Sequence, residues 1–129
     1  MIIGSPRAMV VDDSRVMRMI LSRTLTEVGY GDIRQAANGR EALDQIHAQG
    51  AELGLVMLDW NMPEMNGLEF VKRVRAEAQY NAVKIVMVTT ETQVNQMAAA
   101  LEAGANEYVM KPFTREVLED KLRLAGVLA

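Results

Sequence analysis

The chain has 129 residues, half of which are apolar, with a formal net charge of −3 and no cysteine. This length accommodates one ordinary domain with its own core, so we expect residues 1–129 to form a single domain without an output domain. The composition excludes disulfide and thiolate chemistry, offers no basic stripe for nucleic acid, and contains neither a membrane-length apolar run nor a leader-like start, so we expect a cytoplasmic protein.

Short apolar runs of strand length recur along the chain, and each is followed by a segment of helical period. In chain order, the predicted strands are Ala8–Val11, a weaker one at Asp32–Ala36, Gly54–Leu58, Lys84–Val88 and Glu107–Met110. The helix after the fourth of these strands is predicted over Val94–Ala103 and ends at Gly104. This alternation predicts repeated βα units.

Residues suited to helix ends support these units. Ser14 precedes apolar residues spaced three and four apart, which is typical of a helix packed on a core, and Gly29 and Gly31 end that helix. The predicted N-caps of three later helices are Asn38, Asn66 and Thr114. Nearly continuous apolar strands that alternate with helices favour a parallel sheet covered on both faces, so the predicted fold class is doubly wound α/β.

Polar residues follow four of the five predicted strands, at Asp12 and Asp13, Asp59, Thr89 and Thr90, and Lys111. In sheets of this class ligands bind beyond the carboxyl ends of the strands, so we expect these side chains to meet at one edge. Three carboxylates brought together repel one another and require a cation, and hard oxygen ligands without histidine or cysteine favour Mg²⁺. A carboxylate can be the nucleophile in phosphoryl transfer while a cation and the Lys111 ammonium neutralise the transferred charge, so the pattern favours that chemistry.

Longer segments around these positions carry a family resemblance. They are Val10-Val11-Asp12-Asp13-Ser14, Leu58-Asp59-Trp60-Asn61-Met62-Pro63, Met65-Asn66-Gly67, Met87-Val88-Thr89 and Tyr108-Val109-Met110-Lys111-Pro112-Phe113. From about Ala8 to about Leu122, their order and spacing resemble the receiver domain of bacterial response regulators, and within that family the stand-alone regulators of chemotaxis. The resemblance implies a flavodoxin-like fold with five helices and five parallel strands in the order 2-1-3-4-5.

The resemblance also implies roles at the predicted acidic site. Asp59 would be the phosphoacceptor, and Lys111 would form an ion pair with the phosphoryl group. Asp13 and Asp59 would bind Mg²⁺ directly, Asp12 would reach it through water, and the backbone carbonyl of Asn61 would be a further ligand. The peptide bond between Lys111 and Pro112 would be cis.

Other positions would respond to the phosphoryl group or limit its lifetime. By resemblance, Thr89 and Tyr108 would be the switch residues, while Asn61 and Glu91 would tune hydrolysis toward a short-lived phosphoryl state. We also expect Trp60, directly after the acceptor, to be a partly exposed loop residue and a useful fluorescence reporter.

The function implied is a monomeric phosphorylation switch that is not an enzyme on other substrates. A phosphohistidine on a sensor kinase would be the donor, and phosphorylation would control binding of a target, such as the flagellar motor switch, to the face formed by the fourth helix, fifth strand and fifth helix. A phosphate sink or relay intermediate with the same chemistry but no effector is the alternative. A Mg²⁺-dependent aspartyl-phosphate phosphatase is disfavoured, because phosphatases resembling the haloacid dehalogenases place an Asp where this chain has Asn61.

Overall fold

The computed structural model describes residues 1–49, 52–90 and 94–129. Strands and helices alternate along these ranges, with a short 3-10 helix before the fourth strand. The strands are β1 (Arg7–Val11), β2 (Asp32–Ala36), β3 (Leu55–Asp59), β4 (Lys84–Thr89) and β5 (Glu107–Met110). The helices are α1 (Arg15–Val28), α2 (Gly39–Gln49), α3 (Gly67–Arg75), α4 (Val94–Ala103) and α5 (Arg115–Ala125).

The strands form one parallel sheet in the order β2-β1-β3-β4-β5, so the predicted flavodoxin-like fold is confirmed. β2 and β5 have the predicted bounds, whereas β1, β3 and β4 each differ from the prediction by one residue at one or both ends, most visibly at Gly54, which lies just before β3. The Gly54 amide nevertheless donates to the Arg7 carbonyl at 2.9 Å, and the Gly54 carbonyl accepts from the Lys84 amide at 3.1 Å. The glycine therefore aligns the starts of three strands without belonging to one.

Apolar residues on opposite faces of the sheet form two core clusters. One face packs against α2, α3 and α4 through a cluster that includes Val56, Leu58, Phe70 and Ile85. The other face packs against α1 and α5 through a cluster that includes Leu25, Met57, Val86 and Leu118. Because neighbours along each strand point to opposite faces, both clusters draw on the same central strands, and the ends of those strands are held rigidly.

Four helices begin at the predicted caps. At distances of 2.8 to 3.2 Å, amides three residues further along donate to the side chains of Ser14, Asn38, Asn66 and Thr114. Helix α1 ends at Gly29, whose φ of 119° favours glycine, as the sequence indicates. No helix in the described ranges combines the length and the apolar character needed to cross a membrane.

Candidate acidic site at the carboxyl ends of the strands

The predicted polar residues meet at one edge of the sheet. Asp59 is the last residue of β3 and Thr89 the last of β4, while Asp12 follows β1 and Lys111 follows β5. Because β1 and β4 both pair with β3, the ends of these strands lie next to one another. The fold thus brings together residues separated by up to 99 positions in the chain.

Lys111 bridges two of the carboxylates. Its Nζ lies 3.2 Å from Oδ2 of Asp12 and 3.5 Å from Oδ1 of Asp59. The side chains are 19% exposed for Lys111, 1% for Asp12 and 11% for Asp59. These charges are poorly screened by solvent, so their mutual attraction and repulsion dominate the site.

Three carboxylates could hold a metal ion. One oxygen each from Asp12, Asp13 and Asp59 can be chosen so that all three lie within 4.8 Å of one another. Asp12 and Asp59 are buried, whereas Asp13 is exposed, so the group is open to solvent on one side. Carboxylate oxygens suit a hard divalent cation that keeps some of its water ligands, and the donor set therefore fits such an ion.

The environment of Asp59 opposes its negative charge. The pKa of the Asp59 carboxyl is raised to about 6. Burial is the main cause and the carboxylates of Asp12 and Asp13 add to it, whereas Lys111 and the Trp60 amide lower the pKa. The ammonium group therefore does not offset burial and carboxylate repulsion by itself. A divalent cation at the carboxylates would supply the missing positive charge.

Backbone amides orient both buried carboxylates. The Ser14 amide donates to Oδ1 of Asp12 at 2.8 Å, and the Trp60 amide donates to Oδ1 of Asp59 at the same distance. Ser14 therefore has two functions, because its side chain also caps α1. The cap was predicted from the sequence, whereas the contribution of its amide to the acidic site was not.

Thr89 and Tyr108 lie on the β4 and β5 side of this site. Thr89 is 1% exposed, and its backbone carbonyl accepts a hydrogen bond from the Lys111 amide at 2.6 Å. Tyr108 is half-buried in β5, with the Nζ of Lys121 from α5 4.4 Å from the centre of its ring. The two residues lie on adjacent strands, and their switch role stays a prediction.

Three further expectations concern the loops around the site. The peptide bond between Lys111 and Pro112 is cis, as the resemblance implied. Asn61 lies exposed in the loop after β3, two residues after Asp59. Glu91 lies outside the residues that the structure describes, so its lifetime role stays a prediction.

Two neighbours of Asp59 differ from expectation or were missed. Trp60 is only 7% exposed and belongs to the cluster under α2, α3 and α4, so the prediction of a partly exposed residue is wrong. Gly67, the first residue of α3, lies so close to the backbone of Asp59 that a Cβ atom at Gly67 would be 2.6 Å from the Asp59 carbonyl oxygen. The sequence signal for this contact was the Asn66-Gly67 pair at the start of an amphipathic helix.

Comparison with known proteins places these features in a family. The family model for the response regulator receiver domain matches residues 8–123. A chemotaxis protein CheY homolog of Campylobacter jejuni is 48% identical over 116 residues, which are 90% of this chain and 88% of the relative, and Helicobacter pylori CheY1 is 44% identical over 92% of this chain and 94% of its own length. The structure of the chemotaxis response regulator CheY4 of Vibrio cholerae superposes with a TM-score of 0.82 at 39% identity, over 95% of this chain and 99% of that one.

Proposed function

Because the chain belongs to the response regulator receiver domain family, we propose that it is a single-domain phosphorylation switch whose acceptor is the Asp59 carboxylate and whose cofactor is Mg²⁺. The observation that carries this proposal is the position of the Lys111 ammonium, 3.5 Å from Asp59 and 3.2 Å from Asp12. A fixed cation beside a buried carboxylate, with two more carboxylates in metal-binding range, suits transfer of a phosphoryl group better than a purely structural ion pair.

The phosphodonor in this proposal is a phosphohistidine on a sensor kinase. A carboxylate oxygen of Asp59 attacks the phosphorus atom, the phosphorus–nitrogen bond breaks, and its electron pair stays on the imidazole nitrogen. The product is an acyl phosphate on Asp59. Lys111 then pairs with an oxygen of the transferred group, and the pairing neutralises charge that the buried site would otherwise disfavour.

Mg²⁺, when bound, neutralises charge on the acceptor and on the transferred phosphoryl oxygens. Asp13 and Asp59 would hold it directly, Asp12 would reach it through water, and the backbone carbonyl of Asn61 would complete the protein ligands. The exposed position of Asp13 supports this arrangement, because it leaves the solvent side of the site open to water and to the donor.

In this proposal, the conformational change that follows phosphorylation extends from Asp59 to β4 and β5. The Thr89 hydroxyl moves toward a phosphoryl oxygen, and Tyr108 responds on the adjacent strand. A phosphoryl group that contacts Thr89 and Lys111 better in one arrangement shifts the population toward it, which changes target binding on the face of α4, β5 and α5. Asn61 and Glu91 limit the lifetime of the acyl phosphate.

The names of the similar proteins support an output in chemotaxis, and a flagellar motor switch is the candidate target. In this proposal the protein acts as a monomer, and its partners are a sensor histidine kinase and a downstream target protein. A phosphate sink uses the same acceptor chemistry without an effector, so the two proposals differ only in what the phosphorylated protein binds.

The test follows the fluorescence of Trp60, the single tryptophan of the chain, whose amide donates to Asp59 at 2.8 Å. Mg²⁺ is added first, then acetyl phosphate or beryllofluoride, and intact mass reports the covalent phosphoryl group. In the wild type we expect a Mg²⁺-dependent fluorescence change and a mass increase on addition of acetyl phosphate. In Asp59→Asn, acetyl phosphate should produce neither signal. Asp44→Asn, which changes an exposed carboxylate on α2, is the matched control and should behave like the wild type.

A wild-type protein that shows no fluorescence change with Mg²⁺ and beryllofluoride and also gains no mass with acetyl phosphate and Mg²⁺ would refute the proposal. If it gains mass, pull-downs with beryllofluoride-treated and untreated protein separate effector from sink. A target retained by the treated protein alone supports the effector function, whereas capture of kinase or phosphotransferase proteins alone favours the sink.

A further inference from the structure

Arg18, whose amide closes the first turn of α1 by donating to the Ser14 carbonyl, contacts the acidic site through the backbone of Asp12. The side chain is half-buried, and its Nη1 donates to the backbone carbonyl of Asp12 at 2.6 Å. Its Nε donates to the side-chain oxygen of Gln35, on β2, at 3.2 Å. One guanidinium group therefore connects α1, the end of β1 and the edge strand of the sheet.

The Asp12 carbonyl needs such a donor. Asp12 is 1% exposed and follows the last residue of β1, whose register with β2 ends at the pair Val11 and Ala36. Burying a carbonyl at the end of a strand destabilises the folded protein unless a hydrogen-bond donor replaces the water that it loses. A charged donor at 2.6 Å is a short and strong hydrogen bond.

The contact completes a set that fixes Asp12 at every polar atom. The Asp12 amide donates to the Ala36 carbonyl at 3.1 Å, Oδ1 accepts from the Ser14 amide at 2.8 Å, and Oδ2 lies 3.2 Å from Lys111 Nζ. Arg18 supplies the remaining contact, on the carbonyl. Rotation of the following peptide would swing the Asp13 carboxylate as well as the Asp12 side chain, so the guanidinium restrains two of the three carboxylates.

We propose that Arg18 is a positioning residue of the acceptor site, which holds the Asp12 peptide so that the Asp12 and Asp13 carboxylates stand ready for the cation. This inference rests on the proposed function, because it assigns Arg18 a part in the same metal site. Residues that orient metal ligands from behind commonly change metal affinity by about 10-fold or more when they are removed.

The fork of the guanidinium matters as well as its charge. Its Nε and Nη1 reach two acceptors at once, Gln35 on β2 and Asp12 in the segment after β1. A lysine ammonium keeps the charge but is a single point without the planar fork. Arg18→Lys should therefore restore only part of what Arg18→Met removes.

The experiment measures the Mg²⁺ dissociation constant by Trp60 fluorescence and, on the same samples, the free energy of unfolding in urea with EDTA. The variants are Arg18→Met, Arg18→Lys and Gln35→Leu, and Arg23→Met is the matched control because Arg23 is an exposed arginine of the same helix. We expect Arg18→Met to weaken Mg²⁺ binding about 10-fold or more, with Arg18→Lys and Gln35→Leu showing smaller losses and Arg23→Met none.

A purely structural role would lower the free energy of unfolding and leave the Mg²⁺ dissociation constant of the folded protein unchanged, and that result in Arg18→Met would overturn the proposal. If Arg18→Met does not fold, Arg18→Lys decides, because an unchanged dissociation constant in the lysine variant would equally overturn it. A wild-type protein that binds no Mg²⁺ overturns the proposed function itself, and this outcome appears before any variant is compared.

Discussion

Replacing Asp59 by asparagine should stabilise the metal-free protein. Burial and the neighbouring carboxylates raise the pKa of Asp59 from 3.8 to about 6, so the folded protein binds this proton more tightly than the unfolded chain does. The stability that the neutral carboxyl contributes is complete below the unfolded pKa of 3.8 and is lost as pH rises through about 6. Since a change of one in pKa is worth about 1.4 kcal/mol, ionised Asp59 costs the folded state up to about 3 kcal/mol at neutral pH.

Asparagine removes this cost and keeps an oxygen that can accept from the Trp60 amide, as Oδ1 of Asp59 does at 2.8 Å. We therefore expect the free energy of unfolding of Asp59→Asn in EDTA to exceed that of the wild type by up to about 3 kcal/mol at about pH 7.5, and by roughly half as much at about pH 5. Urea unfolding followed by circular dichroism measures both values. Added Mg²⁺ should stabilise the wild type more than the variant, because binding to the folded state adds to its stability.

Asp44→Asn is the control, since it removes an exposed carboxylate on α2 and should leave the stability and its pH dependence nearly unchanged. The reasoning would be refuted if Asp59→Asn proved equal to the wild type or less stable in EDTA at neutral pH. It would also be refuted if the difference between the two proteins grew as the pH fell.

Two further substitutions test the packing beside the acidic site, at Gly67, and at the opposite edge of the sheet, where Arg75 contacts residues that precede β4 and β5. Gly67→Ala places a Cβ 2.6 Å from the Asp59 carbonyl oxygen, so it should lower the free energy of unfolding by about 1–3 kcal/mol and slow phosphorylation by acetyl phosphate. Gly31→Ala is the control, because a Cβ there has open space around it and should have neither effect. Equal urea midpoints for the two variants would contradict this prediction. Arg75→Met leaves three backbone carbonyls and one side-chain amide oxygen without their donor, so it should lower the free energy of unfolding in urea by about 3 kcal/mol. Arg73→Met, at an exposed arginine of the same helix, is the control and should change it little. A loss below about 1 kcal/mol in Arg75→Met would show that water replaces the guanidinium.

Most of the fold was predictable because its signals are local. The apolar run before Asp59 is too continuous for a half-exposed strand, and the capping side chains of Ser14 and Thr114 precede helices in the structure as they do in the sequence. Strand bounds were less predictable. Gly54 shares ladder hydrogen bonds with its neighbours without being part of β3, a distinction that depends on register and not on residue type.

The membership of the acidic site was predictable from a rule about parallel sheets, because carboxyl ends of strands meet at one edge. That rule places Asp12, Asp59 and Lys111 together, and their separations of 3.2 and 3.5 Å follow it. The rule does not extend to residues that reach the site from elsewhere on a helix. Arg18 resembles any other arginine on the outer part of α1 until the structure shows its guanidinium on the Asp12 carbonyl.

Trp60 illustrates the opposite error. Position after a strand suggests a loop side chain in water, but the chain turns back, and the Gly67 amide donates to the Trp60 carbonyl at 2.9 Å. The indole enters the apolar cluster under α3 and is 7% exposed. Its burial depends on a contact seven residues away, which periodicity does not reveal. The reporter therefore senses rearrangement of the packed loop in addition to direct changes at Asp59.

The loop from Trp60 to Gly67 is held by its surroundings more than by its own sequence. Glu64 adopts a φ of 71°, where a side chain is strained, and the Met65 amide donates to the Pro63 carbonyl across it at 2.8 Å. Such strain persists where neighbouring contacts outweigh it, and the Gly39 amide provides one by donating to the Met65 carbonyl at 3.2 Å. A side chain at Gly39 would meet that carbonyl oxygen at 2.6 Å, so the glycine makes the contact possible. The loop after Asp59 thus contacts the start of α2 as well as the start of α3, and the position of any metal ligand in this loop depends on both helices.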